Sequence, residues 1–237
     1  MVFVISYKTL LVFVPTKEML FAGIFLGIHF ALFFRGVQLT SIAEASLLGT
    51  TAPIFTGIYG FIFQKNPLIP KVVFGLFLAF VGAGALVSQS SFSETGTLGN
   101  ILALLSSIAI SYVLVAGKEI RKSFDVFEYT RWLFFFAAAT LFVISLFTNV
   151  SVFTISTTEF PWFVFLALVP TVIGHNIFYY LLKALNTTTV AAVPLGEPVI
   201  SSVGALVFFG EPITAAIVFG GGITLFGVFL VVRFGDE

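Results

Sequence analysis

An acidic side chain in the middle of an apolar stretch is the first place in this sequence where chemistry can be read. Glu197 lies near the centre of the stretch 188–209, where a carboxylate costs about 2.5–3.5 kcal/mol to insert into a membrane. Pro194 precedes it by three residues and Pro198 follows it directly. Proline has no backbone N–H, so each deprives the carbonyl four residues earlier, at Val190 and at Pro194, of its helical partner. The expectation is a bent helix with polar backbone open at mid-membrane depth beside a carboxylate. Such a carboxylate is placed to bind a cation, a substrate amine or a coupling proton. The plainer alternative has Glu197 bonding a neighbouring helix and holding the kink.

His29 and His175 are the two histidines of the chain, and Asn176 makes a polar spot with the second. Histidine titrates near physiological pH, which suits a proton relay; the alternative is a neutral imidazole bonded to a carbonyl of the next helix. No cysteine and no second close histidine supports a metal site. Glu44 follows Ser41 at capping-box spacing, and Glu211 precedes Pro212 in a turn, so both read as structural. Thr50, Thr51, Thr187, Thr188, Thr189, Ser201 and Ser202 would line a polar path, although such hydroxyls more often bond their own helix. Trp132 and Trp162 fall near segment ends, as interfacial anchors do.

The elements that must position these groups follow from composition. Of 237 residues 59% are hydrophobic and 9% charged, with a mean hydropathy of +1.13, whereas soluble domains run at about 45–50% and about 25%. Apolar runs of close to twenty residues cross roughly 30 Å of hydrocarbon. Eight such spans are read, over 18–36, 40–63, 70–88, 98–117, 126–148, 160–183, 188–209 and 213–233. Asn66-Pro67 and Pro70, the polar stretch 88–100, the charged stretch 118–125 and Gly210-Glu211-Pro212 separate them. Gly23-x-x-x-Gly27 and Gly220-Gly221-Gly222 have the small-residue spacing of close helix contacts.

If the first span starts inside, ten of the eleven basic residues fall on the inner side and Arg35 alone lies at an outer end. This positive-inside pattern places both termini in the cytoplasm, in the cell membrane. The chain also matches itself under a shift of 145 residues, which lays 33–86 on 178–231 without a gap. Pro53 then falls on Pro198, Pro67 on Pro212, Phe74 on Phe219, Gly75 on Gly220 and Gly82 on Gly227. His29 falls on Gly174, next to His175. Matched loops lie on opposite sides of the membrane, so the halves are inverted, as in many carriers with a site between the repeats. The expected domains are an N-terminal repeat, 1–88, with three full helices and a stub, and a C-terminal repeat, 98–233, with five. Residues 1–14 are too short to span and read as the remnant of a second helix.

Five plus five inverted helices with both ends inside resemble the drug/metabolite transporter superfamily, specifically its EamA-type members. The most specific residues are Gly196-Glu197-Pro198-Val199, Phe208-Phe209-Gly210-Glu211-Pro212-Ile213-Thr214, Gly220-Gly221-Gly222-Ile223 and Gly227-Val228. They match the family's proline-containing ninth helix, its Glu-Pro turn and its glycine-rich tenth helix. Ala52-Pro53-Ile54-Phe55 and Gly75 to Gly82 form a weaker first copy, with Asn66 where the turn glutamate is usual. On this resemblance the fold is an all-α integral membrane protein, an inverted repeat of five-helix units with eight full helices and an N-terminal stub. The first helix and most of the second are missing from the family plan.

The leading function is a secondary transporter that exports small metabolites or drugs by alternating access. Glu197, His175, Asn176 and His29 would bind substrate or ion, and Pro53, Pro194 and Pro198 would bend the cavity helices. The alternative is a non-transporting membrane subunit, or a fragment that needs a partner, with a homodimer as one way to close the cavity. No His-Glu-x-x-His, paired midplane Asp or Gly-x-Ser-x-Gly supports an enzyme. No cofactor is expected, zero net charge offers nucleic acid no footing, and the expected partners are a small-molecule substrate and the bilayer.

Overall fold

The computed structural model describes residues 14–40, 42–65, 69–87, 96–148, 156–209 and 213–235. Every regular element among them is helical: α1 (Lys17–Leu39), α2 (Ile42–Gly49), α3 (Ala52–Gln64), α4 (Pro70–Val87), α5 (Thr97–Ile120), α6 (Val126–Thr148), α7 (Phe160–Leu166), α8 (Asn176–Leu181), α9 (Thr187–Ala192), α10 (Glu197–Phe209) and α11 (Ala215–Phe234). A π-helical stretch, Ala167–His175, joins α7 to α8, and a 3₁₀ turn, Val193–Gly196, joins α9 to α10. Among the described residues five helical runs are long and apolar enough to cross a membrane: Lys17–Leu39, Glu44–Ile62, Thr97–Ile120, Val126–Thr148 and Phe160–Leu181. Pro70–Ala85 and Val218–Phe234 are shorter apolar helices.

Local chemistry sets the ends of these helices. The Asn186 side chain accepts from Thr188 N at 3.0 Å and starts α9. Asp125 accepts from the amides of Phe127 and Glu128, while Glu128 accepts from the Asp125 amide at 2.9 Å. This reciprocal cap starts α6 and was not anticipated from the sequence. Ser41 of the anticipated box lies outside the described residues. The Thr40 hydroxyl, one position earlier, donates to the buried Glu44 carboxylate.

Three expected spans are interrupted, 188–209 by the 3₁₀ turn Val193–Gly196. The run 40–63 breaks at Thr50-Thr51. There the Thr50 hydroxyl donates to Leu47 O at 3.0 Å and the Thr51 hydroxyl to Leu48 O at 2.6 Å. Leu47 O, which loses its helical amide at the break, is paired in this way, while Leu48 O also accepts the Thr51 amide at 3.2 Å. Pro53 sits in the first turn of α3, where an amide proton is not needed. The run 160–183 widens into the π stretch around Pro170. Helix limits also recur at the repeat offset of 145 residues: α2 and α9 begin at 42 and 187, α3 and α10 span 52–64 and 197–209, and α4 and α11 begin at 70 and 215.

Packing centres on α1, α5 and α6, where Met19, Leu26, Val113, Tyr129 and Leu133 are fully buried, with Tyr179 of α8 packed among them. A Cβ on Gly23 would lie 2.9 Å from Leu133 O, and one on Gly27 2.8 Å from Ala137 O. The Gly23-x-x-x-Gly27 spacing therefore seats α1 directly on the backbone of α6. A second core joins α4 to α11 through Val72, Leu76, Ala79, Leu195 and Val231. In the glycine triplet, Gly220 meets Gly82, Gly221 lies against Val199, and Gly222 has open space beside it. In α7 and the π stretch Phe160, Trp162, Phe163, Phe165 and Leu168 are exposed, an apolar surface suited to lipid. Trp162 fits the anchor reading, whereas Trp132 packs half-buried on the first core and stacks on Phe136.

Candidate functional site

A cavity of about 220 Å³ lies where the broken runs 40–63 and 188–209 meet α1, α5 and the start of α8. His29, Ser46, Thr50, His175 and Glu197 supply its polar lining; Phe33, Phe178, Tyr179, Ile110, Leu114 and Pro194 supply much of the rest. Glu197, His29 and His175, read separately from the sequence, thus come together on one space. Phe30 lies between the imidazoles, with ring centroids 5.3 Å from His29 and 5.4 Å from His175.

Each histidine is held the same way. His29 Nδ1 lies 2.9 Å from Ser106 O on α5, and His175 Nδ1 lies 3.0 Å from Pro170 O in its own π stretch. A carbonyl oxygen only accepts, so Nδ1 carries the proton in both rings, and in the neutral form Nε2 presents a lone pair. Neither Nε2 has a hydrogen-bond partner among the described residues. For His29 the carbonyl-bonded alternative is what the Nδ1 side adopts, but the opposite nitrogen stays available.

Pro170, which the sequence reading passed over, explains the position of His175. It offers no N–H to Leu166 O, and the backbone widens to five-residue spacing. The Thr171 hydroxyl then donates to Leu166 O at 2.9 Å, and the His175 ring takes Pro170 O. A proline inside 160–183 followed by a hydroxyl residue was the available signal.

At the break in 188–209 the expected open carbonyls are not found. The Val193 amide bonds Val190 O, and the Glu197 amide bonds Pro194 O. The chain tightens into three-residue bonds, so both carbonyls orphaned by proline are paired again. The polar group this break presents is therefore the Glu197 side chain. It is the first residue of α10 and has no hydrogen-bond or ion-pair partner among the described residues. Pro194 lines the cavity. Pro53 is buried just behind the first break and does not. The Pro198 side chain lies outside what is described, as do Glu211, Pro212 and the side chains of Ser201 and Ser202. Asn176 does not line the cavity: its amide donates to Val172 O on its own helix. Among the expected hydroxyls Thr50 lines the space, while Thr51 bonds Ser107 Oγ at 2.6 Å behind it.

Four pairs of lining residues stand 145 positions apart: Phe33 and Phe178, Ser46 and Ala191, Gly49 and Pro194, Ala52 and Glu197. The same positions of both sequence copies face one cavity, but the copies differ in chemistry, and only the second supplies a carboxylate.

The EamA-like transporter family model matches residues 2–88 and again 97–233. The chain belongs to the EamA-like transporter family. It is similar to an uncharacterized transporter of Archaeoglobus fulgidus, 26% identical over 85% of this chain and 70% of that protein. It is also similar to the uncharacterized transporter YyaM of Bacillus subtilis, 26% identical over 87% of this chain and 72% of that protein. A solved crystal structure of a protein shares the fold with a TM-score of 0.70 at 15% identity, over 94% of this chain and 91% of that one. As a member of this family, the chain is a multi-pass membrane transporter.

Proposed function

We propose that this EamA-like protein is a secondary transporter of the cytoplasmic membrane that exports a small metabolite by alternating access between two inverted repeats. The observation that carries the reading is the cavity lined by equivalent residues of both copies with an unpaired carboxylate in it. Rocking two halves about a fixed central site opens it to each side in turn. The glycine contacts of α4 with α11 support the inversion, since Gly75 meets Gly227 and Gly82 meets Gly220, an antiparallel crossing of equivalent helices. In this reading eight spans cross the membrane, residues 1–88 and 98–233 are the repeats, both termini are cytoplasmic, and Glu197 couples binding to ion or proton movement. His29 and His175 shape the binding surface. At about 220 Å³ the cavity is smaller than the roughly 300–1,000 Å³ of drug-sized sites, which favours metabolites over drugs.

The test is gradient-driven accumulation in inside-out membrane vesicles, with labelled small metabolites screened against the wild type and Glu197→Gln. Accumulation that Glu197→Gln abolishes supports the reading. A chain that inserts but carries nothing in either direction is the non-transporting subunit instead. A reporter fused after Glu237 that is active only outside the cytoplasm overturns the orientation.

A further inference from the structure

Resting on that reading of the cavity, we infer that its ligand is a small primary ammonium or amidinium compound with a flat apolar body. Ser106 O and Pro170 O fix the proton of each imidazole on Nδ1, at 2.9 and 3.0 Å. Each neutral ring therefore offers the cavity an acceptor at Nε2. The Glu197 carboxylate is a third acceptor and carries charge. Thr50 spends its hydroxyl proton on Leu47 O, which leaves the Ser46 hydroxyl and the Tyr179 phenol, both neutral, as the side-chain donors of the described lining. No Lys or Arg is among the described residues that line the space.

A ligand carboxylate or phosphate would face three acceptors and no cationic partner, an arrangement that disfavours it by repulsion and desolvation. A neutral alcohol supplies one donor to three acceptors and no charge to meet Glu197. An ammonium supplies three N–H donors and the charge that Glu197 requires. The aromatic part of the remaining wall is Phe33 and Phe178, from equivalent positions of the two copies, with Tyr179 beside them. Ring faces attract a cation and accommodate a flat hydrocarbon body. His29 stacks on Phe33 at 19° and 6.1 Å, which keeps that wall aromatic up to the imidazole.

The test uses three probes of matched shape, 2-phenylethylamine, 2-phenylethanol and phenylacetate, on the purified full chain in detergent. Thermal stabilisation measures binding, and counterflow in proteoliposomes measures carriage. The expected result is that the amine raises Tm and the acid and alcohol do not. Glu197→Gln should fold normally, because its carboxylate makes no internal contact, and should weaken the amine at least tenfold. His175→Asn, as a second variant, should weaken it several-fold without creating affinity for the acid. Stabilisation by phenylacetate or 2-phenylethanol equal to that by the amine, or by none of the three, overturns the ligand class. Counterflow of any other small metabolite in that case would leave the transporter reading standing; loss of all carriage would remove that reading as well.

Discussion

A Cβ placed on Gly82 would lie 2.5 Å from the carbonyl oxygen of Gly220. Its counterpart contact joins Gly75 to Gly227, with a Cβ on Gly75 2.8 Å from Gly227 O. Exchanging the two sequence copies turns one contact into the other. A contact set that maps onto itself in this way is what a two-fold relation produces. In lipid, where apolar side chains gain nothing by leaving the solvent, such close backbone approach is what holds helices together.

Gly82→Val and Gly227→Val should therefore each destabilise the protein by about 1–3 kcal/mol or more. Gly84 faces open space, and Gly84→Ala should stay within about 0.5 kcal/mol. Thermal unfolding in detergent separates the two classes. Equal tolerance at Gly82 and Gly84 would mean that α4 and α11 do not cross this closely.

Glu197→Gln should unfold at the wild-type temperature, because the carboxylate has no internal partner among the described residues to lose. Its transport should drop at least tenfold, equivalent to about 1.4 kcal/mol of lost interaction. A large fall in Tm with transport retained would reverse the assignment and make Glu197 a structural residue.

Pro170 and Thr171 should separate stability from function. Pro170→Ala restores an N–H for Leu166 O, which lets the wide turn relax to α geometry and rotates His175 by roughly 100° per residue of register. Its transport should fall while Tm holds or rises. Thr171→Val should cost about 1 kcal/mol for the lost bond to Leu166 O, and Thr171→Ser should recover it. Unaltered transport in Pro170→Ala would show that the wide turn does not set the position of His175.

Arg121 is buried at the end of α5, with Nε donating to Tyr179 O at 3.2 Å and Nη1 to Phe124 O. Lys118 Nζ donates to Leu185 O at 2.8 Å beside it. Together they tie α5 to the end of α8, below Tyr179 and the cavity. Arg121→Met should destabilise the protein by about 1–3 kcal/mol through the abandoned carbonyls. Arg121→Lys should recover part of that, since one ammonium does not reproduce the guanidinium fork. Equal stability of all three would show that the tie carries no load.

The sequence alone determined the membrane class and the self-similarity of the two halves, because these depend on apolar run length and on residue identity along the chain, whereas the interruptions inside 40–63, 160–183 and 188–209 were not read from it. Glu197 stood out because a carboxylate is expensive in lipid wherever it points. Tertiary structure decided which polar residues share a space. His29 and Glu197 are far apart in the chain and meet through the packing of α1, α5 and the broken helices. Asn176, adjacent to His175, bonds its own helix instead. The repair of the proline-orphaned carbonyls was also beyond the sequence, because three-, four- and five-residue bonding differ by small dihedral changes that packing selects. Side-chain direction is a property of the assembled helices, and it is direction that turns a polar residue into part of a site.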